Sequence, residues 1–276
     1  LHRVVENETV TGKNVNGTMV GKNTNGEFTF LKTDLTGGLV TTALTGFGAD
    51  FSFGDVTLAA LTQATVRRTT YTEQDTDAQR SIASSSATDS AAGTGARTLI
   101  IEYFDSVGNG PFTETVTLNG TAYVNTVATN ICFIEHMTVI TAGSTGVNAG
   151  IITLKAATAG GGATIGTVAA LNNQTFWAHH YVAVGKEMNI TGVAVSHSGT
   201  TVGSGGVFVV KSTAITANAA TRQVTDFIRL YGQASTFSRS YVSPVKVQGP
   251  AKVVLFVTPE TTSSTVYRGS IDFFQP

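Results

Sequence analysis

One cysteine, Cys132, in a chain of 276 residues rules out an internal disulfide, so stability has to come from packing and from association with other chains. Its setting, ATNICFIEH, is that of a small buried apolar residue. Charged residues make up 13% of the chain and the net charge is −1. Counterion release from a phosphate backbone therefore has little to act through, and no nucleic-acid partner is expected. No apolar run approaches the roughly 18 residues of a membrane span, and the opening LHRVVENETV lacks the apolar core of a secretory signal. A soluble chain with no membrane partner is the expectation.

Catalytic signatures are scarce as well. The glycine-flanked serines in AGSTGVN and VGSGGVF do not form a nucleophile elbow. ATAGGGATIGTV lacks the Lys-Ser or Lys-Thr of a phosphate-binding loop and reads as an ordinary loop. Asp75, Asp77 and Asp89 form an acidic cluster without the glycine and terminal glutamate of a calcium loop, so they read as solvated charge. Glu102, Glu114, Glu135, Asp226 and Asp272 are scattered carboxylates of the kind any all-β chain carries; glycan hydrolysis by one pair of them ranks last among the functional readings. No catalytic residue, cofactor or metal site is expected.

What the chain does contain is Thr, Ser, Ala, Val and 30 glycines, with only 5 prolines. β-branched residues suit pleated, half-buried surfaces and glycine marks turns. From residue 97 onward, short β-type runs alternate with Gly, Asn and Ser clusters. Asn119-Gly120 between TVTL and TAYV predicts a tight hairpin. About ten strands suffice for two packed sheets, and the fold class expected over 97–276 is an all-β, jelly-roll-like antiparallel sandwich. Residues 1–72 are too poor in apolar residues for a deep core and read as an extended arm or small β-appendage. Within that region DVTLAALTQATV fits either a short helix or a strand. The Ser-, Ala- and Asp-rich stretch over 73–96 reads as a linker or exposed loop.

The densest chemistry lies in TFWAHHYVAVGK, residues 175–186. On a strand, Trp177, His179 and Tyr181 share one face while Ala178, His180, Val182 and Val184 share the other. The two histidines then point apart and cannot chelate one ion. A packed strand is the leading reading, with His180 bonded to backbone. Trp177, His179 and Tyr181 are the candidates for a subunit contact or a glycan-stacking face. An intersubunit metal would need His179, His136 or His197 from several chains to converge.

The stretch RSIASSSATDSAAGTGARTLIIEYFDSVGNGPFTETVTLNGTAYVNTVATN resembles a recurrent segment of tailed-bacteriophage virion proteins. GIITLKAATAGGGATIGTVAALNNQTFWAHHYVAVGK and DFIRLYGQASTFSRSYVSPVKVQGPAKVVLFVTPE look like later strands of the same family. The resemblance spans about residues 78–276 and carries no catalytic residues. It implies a structural component of a phage particle made in the bacterial cytoplasm: a capsid decoration, cement or head-fibre protein. Its partners would be the major capsid protein or neighbouring virion proteins, it would assemble as a homotrimer, and residues 1–72 would contact the capsid or a neighbour. The alternative it leaves open is a tail or fibre protein that binds a host glycan through Trp177, Tyr181 or Tyr231.

Overall fold

A computed structural model of the chain describes residues 20–22, 28–33, 39–42, 49–59, 61–200, 204–215, 223–231, 234–260 and 262–276. The chain divides into two compact units, Leu1–Phe47 and Gly48–Pro276. In the first, β1 (Val20–Lys22), β2 (Phe28–Thr33) and β3 (Leu39–Thr42) form a small antiparallel sheet in that order. The break falls after Phe47 and not near residue 72. Residues 49–72 belong to the second unit, where Val56, Leu58 and Val66 pack on its core.

The second unit contains β4 (Ala49–Leu58), β5 (Ala64–Thr65), β6 (Ser81–Ser84), β7 (Ala96–Phe104), β8 (Phe112–Thr117), β9 (Val124–Asn125), β10 (Phe133–Ala142), β11 (Ile152–Lys155) and β12 (Thr164–Val168). These are followed by β13 (His179–Val182), β14 (Glu187–His197), β15 (Gly205–Ala214), β16 (Gln223–Tyr231), β17 (Thr236–Gln248), β18 (Ala251–Pro259) and β19 (Thr265–Phe274). DVTLAALTQATV is thus the end of β4, a bend and β5. All pairings are antiparallel.

Two sandwiches result where the sequence suggested one. In the first, the sheet β4-β19-β14-β17 faces the sheet β13-β18-β15-β16, to which β5 adds. Taken in chain order, the eight main strands pair outermost to innermost: β4 with β19, β13 with β18, β14 with β17, β15 with β16. A long hairpin rolled up in this way is a jelly roll. Its interior is closed by Ile190, Val193, Phe208, Val253, Leu255, Tyr267 and Ile271 among others, each worth roughly 1.5–3 kcal/mol when fully buried.

The second sandwich is inserted between β4 and β13. Sheet β10-β7-β8 packs on sheet β12-β11-β6-β9, with Leu99, Ile101, Ile134 and Met137 meeting Ile82, Ile152, Leu154 and Ile165. The chain leaves and re-enters the jelly roll along adjacent backbones. Ala178 N–H donates to Val66 O at 3.0 Å, Val66 N–H to Leu255 O at 2.9 Å and Arg68 N–H to Phe176 O at 3.0 Å. Gly54 lies against this collar; a Cβ there would come within 2.3 Å of Val66 O.

Three further expectations are corrected. The stretch 73–96 is no exposed linker: β6 is buried at all four positions because it is an interior strand between β11 and β9. Asn119-Gly120 does make a tight turn, with Gly120 at φ +62° and Ala122 N–H donating to Asn119 O at 3.2 Å. The flanking strands do not pair with each other, however; β8 joins β7 and β9 joins β6, so the turn is a corner between sheets. ATAGGGATIGTV is a loop only at its start and then becomes β12, which pairs with β11.

Candidate functional site

β13 and the residue before its N-terminal neighbour form the seam between the two sandwiches. Ala178 and Val182 enter the jelly-roll core and Trp177 enters the core of the insert. On the insert-facing side the rings stack in series: Trp177 to His179 at 5.5 Å and His179 to Tyr181 at 5.4 Å between centroids. His180 points the other way, onto Phe273 at 4.2 Å. Alternation therefore separates the two imidazoles as strand geometry requires.

The surface role expected of these rings is corrected. Trp177 is 4% exposed, and His179 and Tyr181 are each 1% exposed. The segment 64–72 covers them: Tyr71 lies 4.8 Å from the Trp177 ring and 5.0 Å from His179, and its hydroxyl meets that of Tyr181 at 2.7 Å. Neither a sugar nor a second subunit reaches that face while the fold is intact.

The seam is polar as well as aromatic. Arg67 Nε donates to His179 Nδ1 at 3.0 Å, while His179 Nε2–H faces the carbonyls of Ile134 and Glu135 at 3.1 and 3.0 Å. This set of partners fixes the neutral tautomer. Burial, reinforced by the adjacent Arg67 guanidinium, holds His179 well below the usual histidine range. Burial likewise raises the Tyr71 and Tyr181 phenols. The Glu135 carboxylate accepts from Tyr181 N–H at 2.8 Å and pairs with His180 Nδ1 at 2.8 Å; Gln275 Nε2 donates to His180 Nε2 at 2.5 Å. The bonds from Arg67 Nε, His179 and the Glu135 carboxylate thus tie the two sandwiches together along the seam.

Asp89 is another correction. Far from being solvated, its carboxylate is fully buried. Oδ1 accepts from Ala96 N–H and Ala149 N–H, each at 2.8 Å; Oδ2 accepts from Gly150 N–H at 2.8 Å and from Ser84 Oγ at 2.5 Å. Gly95 has to lack a side chain, since a Cβ would sit 2.0 Å from Asp89 Oδ1. The AAGTGAR stretch is thus the wall of a carboxylate cage that ties loops 84–95 and 143–151 at one end of the insert. At the other end of β6, Arg80 is buried and donates to the carbonyls of Ile131, Ala156 and Thr76 at 2.5–3.0 Å. Burial lowers its pKa.

The remaining candidates are dispersed. Glu114 accepts from Val127 N–H at 2.6 Å and Ala128 N–H at 2.9 Å, and Asp77 accepts from Ser106 N–H at 2.7 Å. Glu102 lies 3.8 Å from His136, and Asp272 is the neighbour of Ser270; the Asp226 side chain lies outside the described residues. His197 is buried against Tyr267 and Ser235, away from His136 and His179. Cys132 is buried, and burial pushes its thiol up to about 12, which leaves it unreactive. Among the described residues no three His, Cys, Asp or Glu side chains converge as a metal site requires, and no helix is long and apolar enough to cross a membrane.

Concave surface occurs elsewhere. A cleft of about 160 Å³ lies beside Phe51, His136, Gln174 and Trp177. A wider trough of about 370 Å³ runs over the outer face of β4, β19 and β14, beneath Phe176 and Arg68. Sequence reasoning missed Phe53, Arg68, Phe176 and Arg268, because only the returning segment of the insert brings Phe176 and Arg68 beside β4.

No family model matches the chain, and no curated protein matches it in sequence. Among solved structures, similar chains come from infectious bursal disease virus. One is from the Gx strain (9% identity, covering 94% of this chain and 64% of that chain, TM-score 0.27). Another is from the VP2 subviral particle of that virus (10%, 92%, 63% and 0.24). This chain spans less than two thirds of either one, and superpositions this loose carry no argument about role.

Proposed function

We propose that the chain is a non-enzymatic structural protein of a tailed-phage particle, decorating or cementing the capsid as a homotrimer. The observation that carries this reading is a jelly roll whose interior is filled with packed aliphatic and aromatic side chains. Jelly rolls serve in capsid proteins, lectins and cupins. A cupin-like activity needs an open, ligand-bearing interior, and this one is closed. The resemblance of residues 78–276 to phage virion proteins supports the particle over other settings, and the AAGTGAR stretch that carries it has a structural task at Asp89. Without a disulfide, association is the route by which such a chain withstands life outside a cell. The separately clustered residues 1–47 are the segment proposed to contact the capsid or a neighbouring chain.

The test mixes the purified chain with phage heads lacking their decoration and images them. Added density at three-fold-related positions on the shell, with co-sedimentation in fixed stoichiometry, is the expected result. Density confined to tails or fibres, or no association with any particle part, overturns the proposal.

A further inference from the structure

We propose that the trough on the outer face of the sheet β4-β19-β14-β17 binds a saccharide bearing a carboxylate, a uronic- or sialic-acid type of sugar. The inference goes beyond the structural role and does not depend on it.

The register builds the trough. Phe53 on β4 is the cross-strand neighbour of Ser270 on β19, which neighbours Ala194 on β14. One rung along, Arg268 neighbours Ser196. Small and hydroxyl-bearing side chains thus floor the middle, and a wall rises at the β4 side where Phe176 meets Phe53 edge-on with centroids 5.1 Å apart. The volume of about 370 Å³ lies near the small end of the ligand-pocket range.

Three features select the ligand. First, the charges do not cancel. Arg68 is committed to Asp55 at 2.7 Å and lies over the Phe176 ring at 4.3 Å. Arg268, exposed on the floor, is the cross-strand neighbour of Asp55 but makes no ion pair among the described residues, Asp55 being held by Arg68. Two guanidiniums against one carboxylate along the trough, in a chain of net charge −1, are a local excess suited to a carboxylate. Second, Ser196 and Ser270 offer hydroxyls that donate and accept, as sugar hydroxyls do, and the phenylalanine rings offer an apolar wall for a pyranose face. Third, β19 and β14 are interior strands paired on both sides. An incoming peptide finds no free backbone ladder there, so strand addition is closed to it and recognition rests on side chains.

The experiment titrates the intact chain calorimetrically with oligogalacturonate and with N-acetylneuraminic acid, and with neutral galacto-oligosaccharide for comparison. Saturable binding to an acidic probe is expected, at least tenfold tighter than to the neutral one. Arg268→Ala should weaken it tenfold or more. Ser196→Tyr, which fills the trough from an outward-facing position, should abolish it with unfolding temperature unchanged. Tyr231→Ala, an exposed aromatic on β16, should leave it intact. Absence of saturation with both acidic probes, equal affinity for the neutral sugar, or unaltered binding by the Arg268 and Ser196 variants overturns the proposal.

Discussion

Seven of the eight jelly-roll strands run nine residues or more, whereas five of the seven strands in the inserted sandwich run six or fewer. Their interiors differ to match. Among the described residues the buried polar side chains of the jelly roll are Ser52, His179, Asn189, His197, Ser204, Ser212 and Thr265, none of them a carboxylate, lysine or arginine; Arg80, Asp89 and Glu135 all come from the insert. Long ladders satisfy their own backbone and let aliphatic packing do the rest. Short strands end in loops whose N–H and C=O groups need partners away from water, and one buried ion serves several of them at once. Asp89 takes three backbone N–H groups, and Arg80 takes three carbonyls.

That contrast can be broken most forcefully at Asp89. Asp89→Ala strands the N–H groups of Ala96, Ala149 and Gly150, two of them buried, and should cost about 3–5 kcal/mol, with hydrogen exchange rising in 84–96 and 143–151 while jelly-roll amides stay protected. Uniform loss of protection across both sandwiches would show that the cage does not act locally.

The seam should respond to acid. His179 is neutral in the folded chain and its pKa is lowered, whereas the unfolded chain titrates near the ordinary value of about 6.5. Below that pH the unfolded state holds the extra proton, so stability is full above about 6.5 and falls as pH drops, by up to about 1.4 kcal/mol per pH unit for this one group. Unfolding midpoints measured across that window should show the slope, and His179→Gln should flatten it.

The smallest effect belongs to the edge of the jelly roll. Val242 is fully exposed on a bulge of β17, where Ser240 and Val245 pair across only Gly192 and Ile190. Val242→Ser should change stability by less than about 0.5 kcal/mol, measured by chemical denaturation; a larger loss would mean the bulge packs against something.

Much of the strand pattern was legible from alternation and turn residues, including the opposed faces of His179 and His180. β17 was not, because Pro244 and Arg239 break the expected apolar rhythm, and an edge strand tolerates both. β12 hid behind the run of glycines before it. The division into two sandwiches leaves no mark in composition, since strands of either read alike; it follows from pairings between residues as distant as Val66 and Leu255. The trough was hidden for the same reason. The burial of Trp177, His179 and Tyr181 depended on Tyr71, a residue in a segment whose sparse apolar content suggested an arm.

The collar of Val66, Ala178 and Leu255 closes the jelly roll at the point where the insert departs and returns. The outgoing and returning backbones run antiparallel about 5 Å apart, the spacing of a hairpin's two ends. A module with termini that close can be spliced in there while the barrel beneath keeps its register, provided that it also covers His179 and Tyr181 and supplies a partner in place of Glu135. Such a port lets one scaffold carry different cargoes, by natural recombination or by design.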